Sequence, residues 1–205
     1  KKKRRRTRLT YTLSPGRQHY VRSVVRHYDN DTIRQDVERL CNTTRLYNGM
    51  PLDVSLLDEE RNAIITALRQ HGYYNLTPEF ITFTADTLEN HRGALLTMNF
   101  RMPLGADPRM AYQRYRMGQI TIHEKRNDAV ETDTTETELF RIIATNPAKL
   151  RKRVYHREVM LDKDSLFNEQ KTQFTYQGLN SLPIVNYATV RYTTPEPGDS
   201  LLNAD

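Results

Sequence analysis

The sequence has no tryptophan and a single cysteine, Cys41, among its 205 residues. One cysteine excludes an intrachain disulfide and a zinc site built from several cysteines, and the place of Cys41 on an apolar helical stripe favours a buried thiol over a reactive one. No stretch approaches the roughly 18 apolar residues that a membrane-spanning helix needs. The basic first residues are not followed by an apolar run, so we do not expect them to form a secretory signal.

Recognisable motifs for catalysis and metal binding are absent from the sequence. Its six histidines form no HxH or HExxH pair, because His123, which Glu124 follows, has no second histidine at the required spacing. The segments DNDT (29–32) and DKDS (162–165) lack the glycine and glutamate that complete a calcium-binding loop, and they are more simply helix caps. No nucleophile elbow, phosphate-binding loop or dinucleotide fingerprint occurs. We therefore expect a protein without enzymatic activity, metal or cofactor.

The net charge of +6 is concentrated at the start of the chain, where seven of the first eight residues, KKKRRRTR, are basic. Such a cluster could bind nucleic-acid phosphates without sequence preference, or it could contact anionic lipid headgroups. However, it runs directly into a predicted strand, and no interleaved aromatic and basic residues follow it. The favoured interpretation is a solvated, basic strand start, and we expect no nucleic-acid partner.

The hydrophobic pattern predicts the order β-α-α-β-β over residues 19–102. We predict strands at 19–28, 79–87 and 94–102, and a first helix at 31–42 that Asp29 or Asp31 caps. The second helix begins at SLLD (55–58), which has the form of a capping box, and ends at Gly72 in the left-handed conformation. The fold class is therefore α+β, with two helices on a three-stranded mixed sheet.

The pattern then repeats, which indicates tandem units. Tyr115, Gly118 and Ile120 match Tyr20, Ser23 and Val25 at an offset of 95, and 165–169 matches 55–59 at an offset of 110. An insertion accounts for the longer offset: we expect its acidic, threonine-rich part to be a loop and ELFRIIAT (138–145) to be an added strand. The first helix of the second unit then falls at 148–156, and 184–194 is the strand after its second helix.

The repeat also predicts domain boundaries. We interpret 1–15 as the last strand of a preceding unit, 16–103 as a complete unit, and 104–205 as a unit that lacks its final strand. A missing strand would make the second unit less stable, or a strand of another chain, such as 8–13, would replace it. Short joints around Pro15, Gly16, Pro103 and Gly105 are the predicted interdomain hinges, where proline and glycine set a fixed bend.

Tandem β-α-α-β-β units with very short joints resemble the POTRA domains of the BamA/TamA outer-membrane assembly superfamily. The resemblance is carried by the Pro-Gly joint, the first strands at Tyr20–Val25 and Tyr115–Ile120, and the helix end LRQHGYYN (68–75). The sequence of residues 49–74 is most similar to the Bacteroidetes type of TamA-like outer-membrane lipoprotein. The second unit departs from the pattern, with GLNSLP (178–183) where the first has HGYY (71–74).

The resemblance implies a non-enzymatic periplasmic arm at the outer membrane. Its implied partners are unfolded outer-membrane β-barrel proteins, periplasmic or inner-membrane subunits, and the protein's own C-terminal β-barrel. In the family the second strand of each unit lies at a sheet edge, beside a groove along the second helix. An edge strand can add an extended peptide through main-chain hydrogen bonds. The alternative is a scaffold that docks a partner and never contacts clients.

Two stretches are candidate peptide-binding edges, namely 80–84 and 185–192, although both could be ordinary strands with covered edges. Tyr73 and Tyr74 could form a client-contact patch, but one of them more simply packs beneath the helix end. The candidate peptide-binding residues are Phe80, Ile81, Thr82, Phe83, Thr84, Tyr73, Tyr74, Val185, Tyr187 and Val190.

Overall fold

The computed structural model describes residues 9–14, 16, 18–41, 43–87, 93–125, 133–145, 150–195 and 198–205. The strands in these ranges are β1 (Tyr20–Tyr28), β2 (Ile81–Thr87), β3 (Gly93–Phe100), β4 (Arg116–Glu124), β5 (Asp133–Glu136), β6 (Arg141–Ala144), β7 (Tyr192–Thr193) and β8 (Leu201–Ala204). The helices are α1 (Asp31–Leu40), α2 (Val54–Arg69), α3 (Pro108–Ala111), α4 (Lys152–Glu158) and α5 (Glu169–Asn180), with a 3-10 turn at Pro78–Phe80. None of these helices is long and apolar enough to cross a bilayer.

The first unit contains β1, β2 and β3 in the order β1-β3-β2, with α1 and α2 packed on one face. β3 runs parallel to β1 and antiparallel to β2. Alternate residues of β3, namely Ala94, Leu96, Met98 and Phe100, are buried, as the period-two pattern requires. The predicted α+β class and the β-α-α-β-β order are confirmed.

The helix starts differ from the predictions in their capping residues. Asn30, not Asp29 or Asp31, caps α1, and its side-chain oxygen accepts hydrogen bonds from the amides of Thr32 and Ile33. Asp53 caps α2 by accepting from the amide of Ser55, so the predicted capping box does not form. Either residue type satisfies the free amides of a first turn, so the local sequence does not decide between neighbouring candidates.

The second unit is a five-stranded sheet in the order β5-β6-β4-β8-β7. β8 pairs in parallel with β4, as β3 pairs with β1, and β7 is antiparallel to β8. The prediction that this unit lacks its final strand is therefore wrong, because 201–204 supplies it. The stated consequence, a gap for a strand of another chain, no longer follows.

The insertion forms a hairpin along the free side of β4. The added strand predicted within 138–145 is confirmed as β6, which pairs in parallel with β4. The loop predicted for the acidic, threonine-rich part is wrong over 133–136, because β5 pairs antiparallel with β6. Thr137 stabilises the turn by exchanging hydrogen bonds with the backbone of Phe140.

The strand predicted over 184–194 forms only at Tyr192–Thr193. The side-chain amide of Asn180, at the end of α5, bonds both the N–H and the C=O of Ala188. These are the groups that a strand would offer to its neighbour, so the segment follows the helix end instead of a sheet.

Equivalent backbone hydrogen bonds align the residues of the two units more accurately than the sequence repeat did. The amide of Val21 bonds the carbonyl of Met50, and that of Met117 bonds Ser165. In both units the first strand is bulged just after this residue, and the residue before the matched acceptor has positive φ. The equivalent pairs are Val21 and Met117, Gly49 and Asp164, Met50 and Ser165, and Asp53 and Asn168, so the offsets are 96 and 115 rather than 95 and 110.

The predicted strand before the first unit is not formed in residues 9–14, which have no regular structure. The apolar side chains of Leu9, Tyr11 and Leu13 are exposed, and residues 1–8 lie outside the described residues. A strand requires a partner for its backbone groups, and the described chain offers none to this segment.

Candidate functional site

β2 is an edge strand: in the described part of the chain its only partner strand is β3. The carbonyl of Phe80 accepts a hydrogen bond of 2.9 Å from the amide of Arg101, which fixes the phase of the ladder. The alternation of an antiparallel pair then turns the backbone groups of 82, 84 and 86 towards β3. The N–H and C=O groups of Phe83, Ala85 and Thr87 therefore point away from the sheet, where an added strand would bond them. The C=O of Ile81 points the same way, whereas its N–H already donates to the carbonyl of Pro78.

The side chains of β2 divide between the two faces of the sheet. Ile81 is buried against the helices and Phe83 is half-buried on the same face. Thr84 is exposed on the opposite face, and Thr82 there is half-buried. Phe80 precedes the strand and is buried. Of the predicted edge residues, Phe83 and Thr84 are thus the ones whose side chains a bound peptide could reach.

α2 flanks the edge on the helical face. The guanidinium of Arg61 lies 5.5 Å from the centroid of the Phe83 ring and bonds Asp58 at 2.7 Å. This arrangement places one charged pair of α2 beside the apolar and threonine-rich part of the edge at 81–85. The sequence pattern had not indicated Arg61.

β1, at the other edge of the same sheet, is less open. Its start is paired with the loop before α2, since the amide of Leu52 bonds His19 and the amide of Gly49 bonds Val21. Arg22 and Arg26 are exposed along the remainder, and Arg26 donates to Thr44 of the same loop. Charged side chains and a covering loop are common means of blocking strand addition.

The edge strands of the second sheet are shorter than β2. β5 at one end has four residues, of which Asp133 and Glu136 are acidic, and β7 at the other end has two residues. Of the predicted residues of the second edge, Val185 and Val190 are half-buried and Tyr187 is exposed, and all three lie outside any strand. Of the two predicted edges, only 80–84 contains a continuous stretch of edge strand.

The two predicted tyrosines have separate structural roles at the joint between the units. Tyr73 is 1% exposed and its hydroxyl donates a 2.7 Å hydrogen bond to Asp36 of α1, so its side chain is not available as a client-contact surface. Gly72 has φ of +104°, which confirms the predicted left-handed helix end and directs the chain into the next unit.

Tyr74 packs into the core of the second unit. Its ring makes edge-on contacts with Tyr115, Phe167 and Tyr192, at centroid distances of 5.8, 5.2 and 5.6 Å. Burial raises the pKa of Tyr192 to about 12, although the hydrogen bond between Tyr192 and Thr172 acts to lower it. An aromatic side chain of one unit is thus part of the hydrophobic core of the other.

Polar contacts surround this aromatic cluster. Arg69 forms a 2.8 Å ion pair with Glu169, and the same guanidinium donates to the carbonyls of Tyr74 and Leu76. The side-chain amide of Asn168 donates to the carbonyl of Gln70 at 3.0 Å. Sequence reasoning missed Arg69 and Asn168, because nothing local distinguishes them from surface residues.

Asp36 connects α1 to the same joint. Its carboxylate accepts from Arg39 at 2.6 Å and from Tyr73, and Arg114 of the linker lies 3.9 Å away. Burial acts to raise the pKa of Asp36, but the hydrogen bonds from Arg39 and Tyr73 and the charge of Arg114 outweigh it and hold the pKa below its usual value. Burial and the bond to Asp36 raise the pKa of Tyr73.

The linker between the units is packed against the first unit. Asp29 accepts hydrogen bonds from the amide of Met102 and the hydroxyl of Tyr112, and Asn75 donates to the carbonyl of Met110. Of the predicted hinge residues, Gly105 has φ of +86° in a turn that begins at Pro103. Gly16 lies in open space, and Pro15 lies outside the described residues.

The sequence matches no protein-family model and no curated protein at a significant level. Solved structures that are similar to the chain include two of BamA. POTRA domains 3–5 of BamA from Haemophilus influenzae match with a TM-score of 0.54 and 13% identity, over 92% of this chain and 60% of that chain. BamA from Haemophilus ducreyi lacking POTRA domains 1–3 matches with a TM-score of 0.60 and 12% identity, over 91% of this chain and 28% of that chain.

The chain thus spans less than two thirds of either structure, and at these identities the likeness concerns the fold. Each unit has the β-α-α-β-β order with its first and last strands parallel. The second adds a hairpin to that plan. Together, the element order, the strand pairing and the two structural matches identify the fold of this chain as that of POTRA domains.

Proposed function

We propose that the chain is a periplasmic POTRA arm of an outer-membrane protein assembly factor of the BamA/TamA superfamily. It binds nascent outer-membrane β-strands and partner proteins, with 16–103 and 104–205 as its two units. The POTRA fold supports this assignment, because BamA is among the structures that the chain resembles.

The open edge of β2 is the observation that carries the binding role. Phe83, Ala85 and Thr87 direct N–H and C=O groups away from the sheet, and Ile81 directs its C=O group. An extended client segment that paired there would gain main-chain hydrogen bonds without a requirement for a particular sequence. That property suits an arm that receives many different β-strands.

Hydrogen exchange tests this assignment on the whole chain. We expect an unfolded outer-membrane β-peptide to slow amide exchange of Phe83, Ala85 and Thr87, while 82, 84 and 86, already bonded to β3, change less. Binding without any protection over 81–87 would contradict strand addition. It would favour the alternative, a scaffold that docks partners elsewhere.

Two substitutions at one position sharpen the test. Ala85→Pro removes an outward N–H without breaking the ladder to β3, and proline is tolerated on an edge strand in this orientation. Ala85→Thr keeps the N–H and is the matched control. We expect the proline variant to bind the peptide about fivefold more weakly or worse, because it loses one hydrogen bond and adds a steric block. The threonine variant should bind with an affinity close to that of the parent chain. Equal affinities would exclude β2 as the binding edge.

A further inference from the structure

A groove of about 380 Å³ opens where β2 begins. One wall consists of Thr77, Glu79 and Phe80, which lead directly into Ile81. The other wall is the linker segment 103–107 together with α3. A peptide paired along the outer edge of β2 would therefore meet this groove at the end nearest Ile81.

The lining of the groove is mainly apolar. Phe80 and Ala111 form its buried floor, and Met110 is half-buried. Leu104 stands on the rim with its side chain fully exposed. Gly105, with φ of +86°, lies in the same turn as Leu104. A fully exposed leucine beside an apolar groove is a feature of binding surfaces.

The charged side chains that line the groove are all acidic. The titratable side chains among its lining residues are Glu79 and Asp107, both of which are exposed carboxylates. Arg101 and Arg109 are neighbours along the chain but do not line the groove. Asp107 also accepts a hydrogen bond from the amide of Arg109, so its position is set by the start of α3.

We propose that the groove is a side-chain pocket for the strand bound to β2, and that it selects an apolar residue flanked by lysine or arginine. The proposal rests on the proposed function of β2 as the peptide-binding edge. The apolar side chain of the peptide fills the space between Phe80 and Leu104, and its lysine or arginine lies against Glu79 and Asp107. A peptide with an acidic neighbour, or with a free carboxylate at this point, meets repulsion instead.

Three amidated and acetylated peptides test the selection. The first alternates threonine and valine and carries, at one end, a phenylalanine flanked by two lysines. The second replaces the lysines by glutamates, and the third replaces the phenylalanine by serine. We expect the lysine peptide to bind the whole chain about three- to tenfold more tightly than the glutamate peptide, a preference that shrinks in high salt. We expect the serine peptide to bind about tenfold more weakly than the first.

Two surface variants with matched controls assign the effect to the groove. Glu79→Lys should abolish or invert the preference between the lysine and glutamate peptides, whereas Glu138→Lys, the same charge change in the second unit, should not. Leu104→Ser should reduce the gain from phenylalanine, whereas Leu9→Ser, at another exposed leucine, should not. Both altered side chains are exposed, so an unchanged melting temperature verifies the fold.

The outcomes separate this proposal from the one on which it rests. If all three peptides protect β2 equally and bind alike, strand addition stands and the pocket is wrong. If none of them protects β2, the peptide-binding edge itself is wrong. If Glu79→Lys leaves the preference unchanged, the selection arises elsewhere on the chain and the pocket is excluded.

Discussion

The ring of Tyr74 lies edge-on against Phe167, with centroids 5.2 Å apart, so a residue from the first unit is packed in the core of the second. The same ring also contacts Tyr115 and Tyr192. The joint between the units is therefore built from side chains as well as from the linker 101–115.

Removing this ring should separate the unfolding of the two units. We expect Tyr74→Ala to lower the free energy of unfolding by about 3 kcal/mol, because it leaves a cavity among three aromatic side chains. Calorimetry should then resolve two transitions. Tyr187→Ala, at an exposed tyrosine of the second unit, is the control and should change little. A single transition at an unchanged temperature would show that Tyr74 does not couple the units.

The ion pair between Arg69 and Glu169 should contribute less than its distance of 2.8 Å suggests. Both side chains are partly exposed, so we expect a coupling energy of about 1 kcal/mol in a double-mutant cycle of Arg69→Met and Glu169→Gln. Arg69→Met should lower the free energy of unfolding more than Glu169→Gln does, because Arg69 also donates to the carbonyls of Tyr74 and Leu76. Equal single-variant costs, measured by urea unfolding, would contradict this division.

Asp36 should make the protein sensitive to acid. Its pKa is lower in the folded chain than the unperturbed 3.8, so its contribution to stability is present above that value and is lost as the pH falls through the lower, folded-state pKa. Asp36→Asn should flatten this part of the stability curve. Urea unfolding at several pH values between about 2 and 6 measures how the free energy of unfolding changes with pH in the parent chain and in Asp36→Asn. Parallel curves for the two proteins would show that Asp36 is not the source of the acid sensitivity.

Gly105 should be harder to replace than Gly16. At φ of +86° a side chain is strained, so Gly105→Ala should cost about 1 kcal/mol. Gly16 has open space around its Cα, so Gly16→Ala should be close to neutral. Thermal unfolding of the two variants provides the comparison, and equal shifts in the melting temperature would contradict the difference.

Patterns confined to one element were predictable from the sequence. The alternation of β3, the stripe of α2 and the glycine at its end predicted the order of the elements of the first unit, because period and turn chemistry act locally. The added strand β6 was predictable for the same reason, since Phe140, Ile142 and Ile143 favour strands.

Features that depend on distant partners were not predictable. β5 is polar and becomes a strand only because β6 lies beside it, and β8 is a strand of four residues because β4 has a free side. The choice of Asn30 as cap leaves Asp29 free to bond Met102 and Tyr112, which are more than seventy residues away. The position of β2 at a sheet edge was predictable from the family resemblance. The groove beside β2 was not, because it forms only where the linker folds back against the first unit.

The packing of Tyr74 has a mechanical consequence. A tensile load applied to the first unit reaches the second through an aromatic ring seated in its core, in parallel with the linker 101–115. The joint should therefore behave under load as a stiff coupling rather than a pivot. A strand held at β2 would keep its direction with respect to the second unit while force is transmitted along the arm.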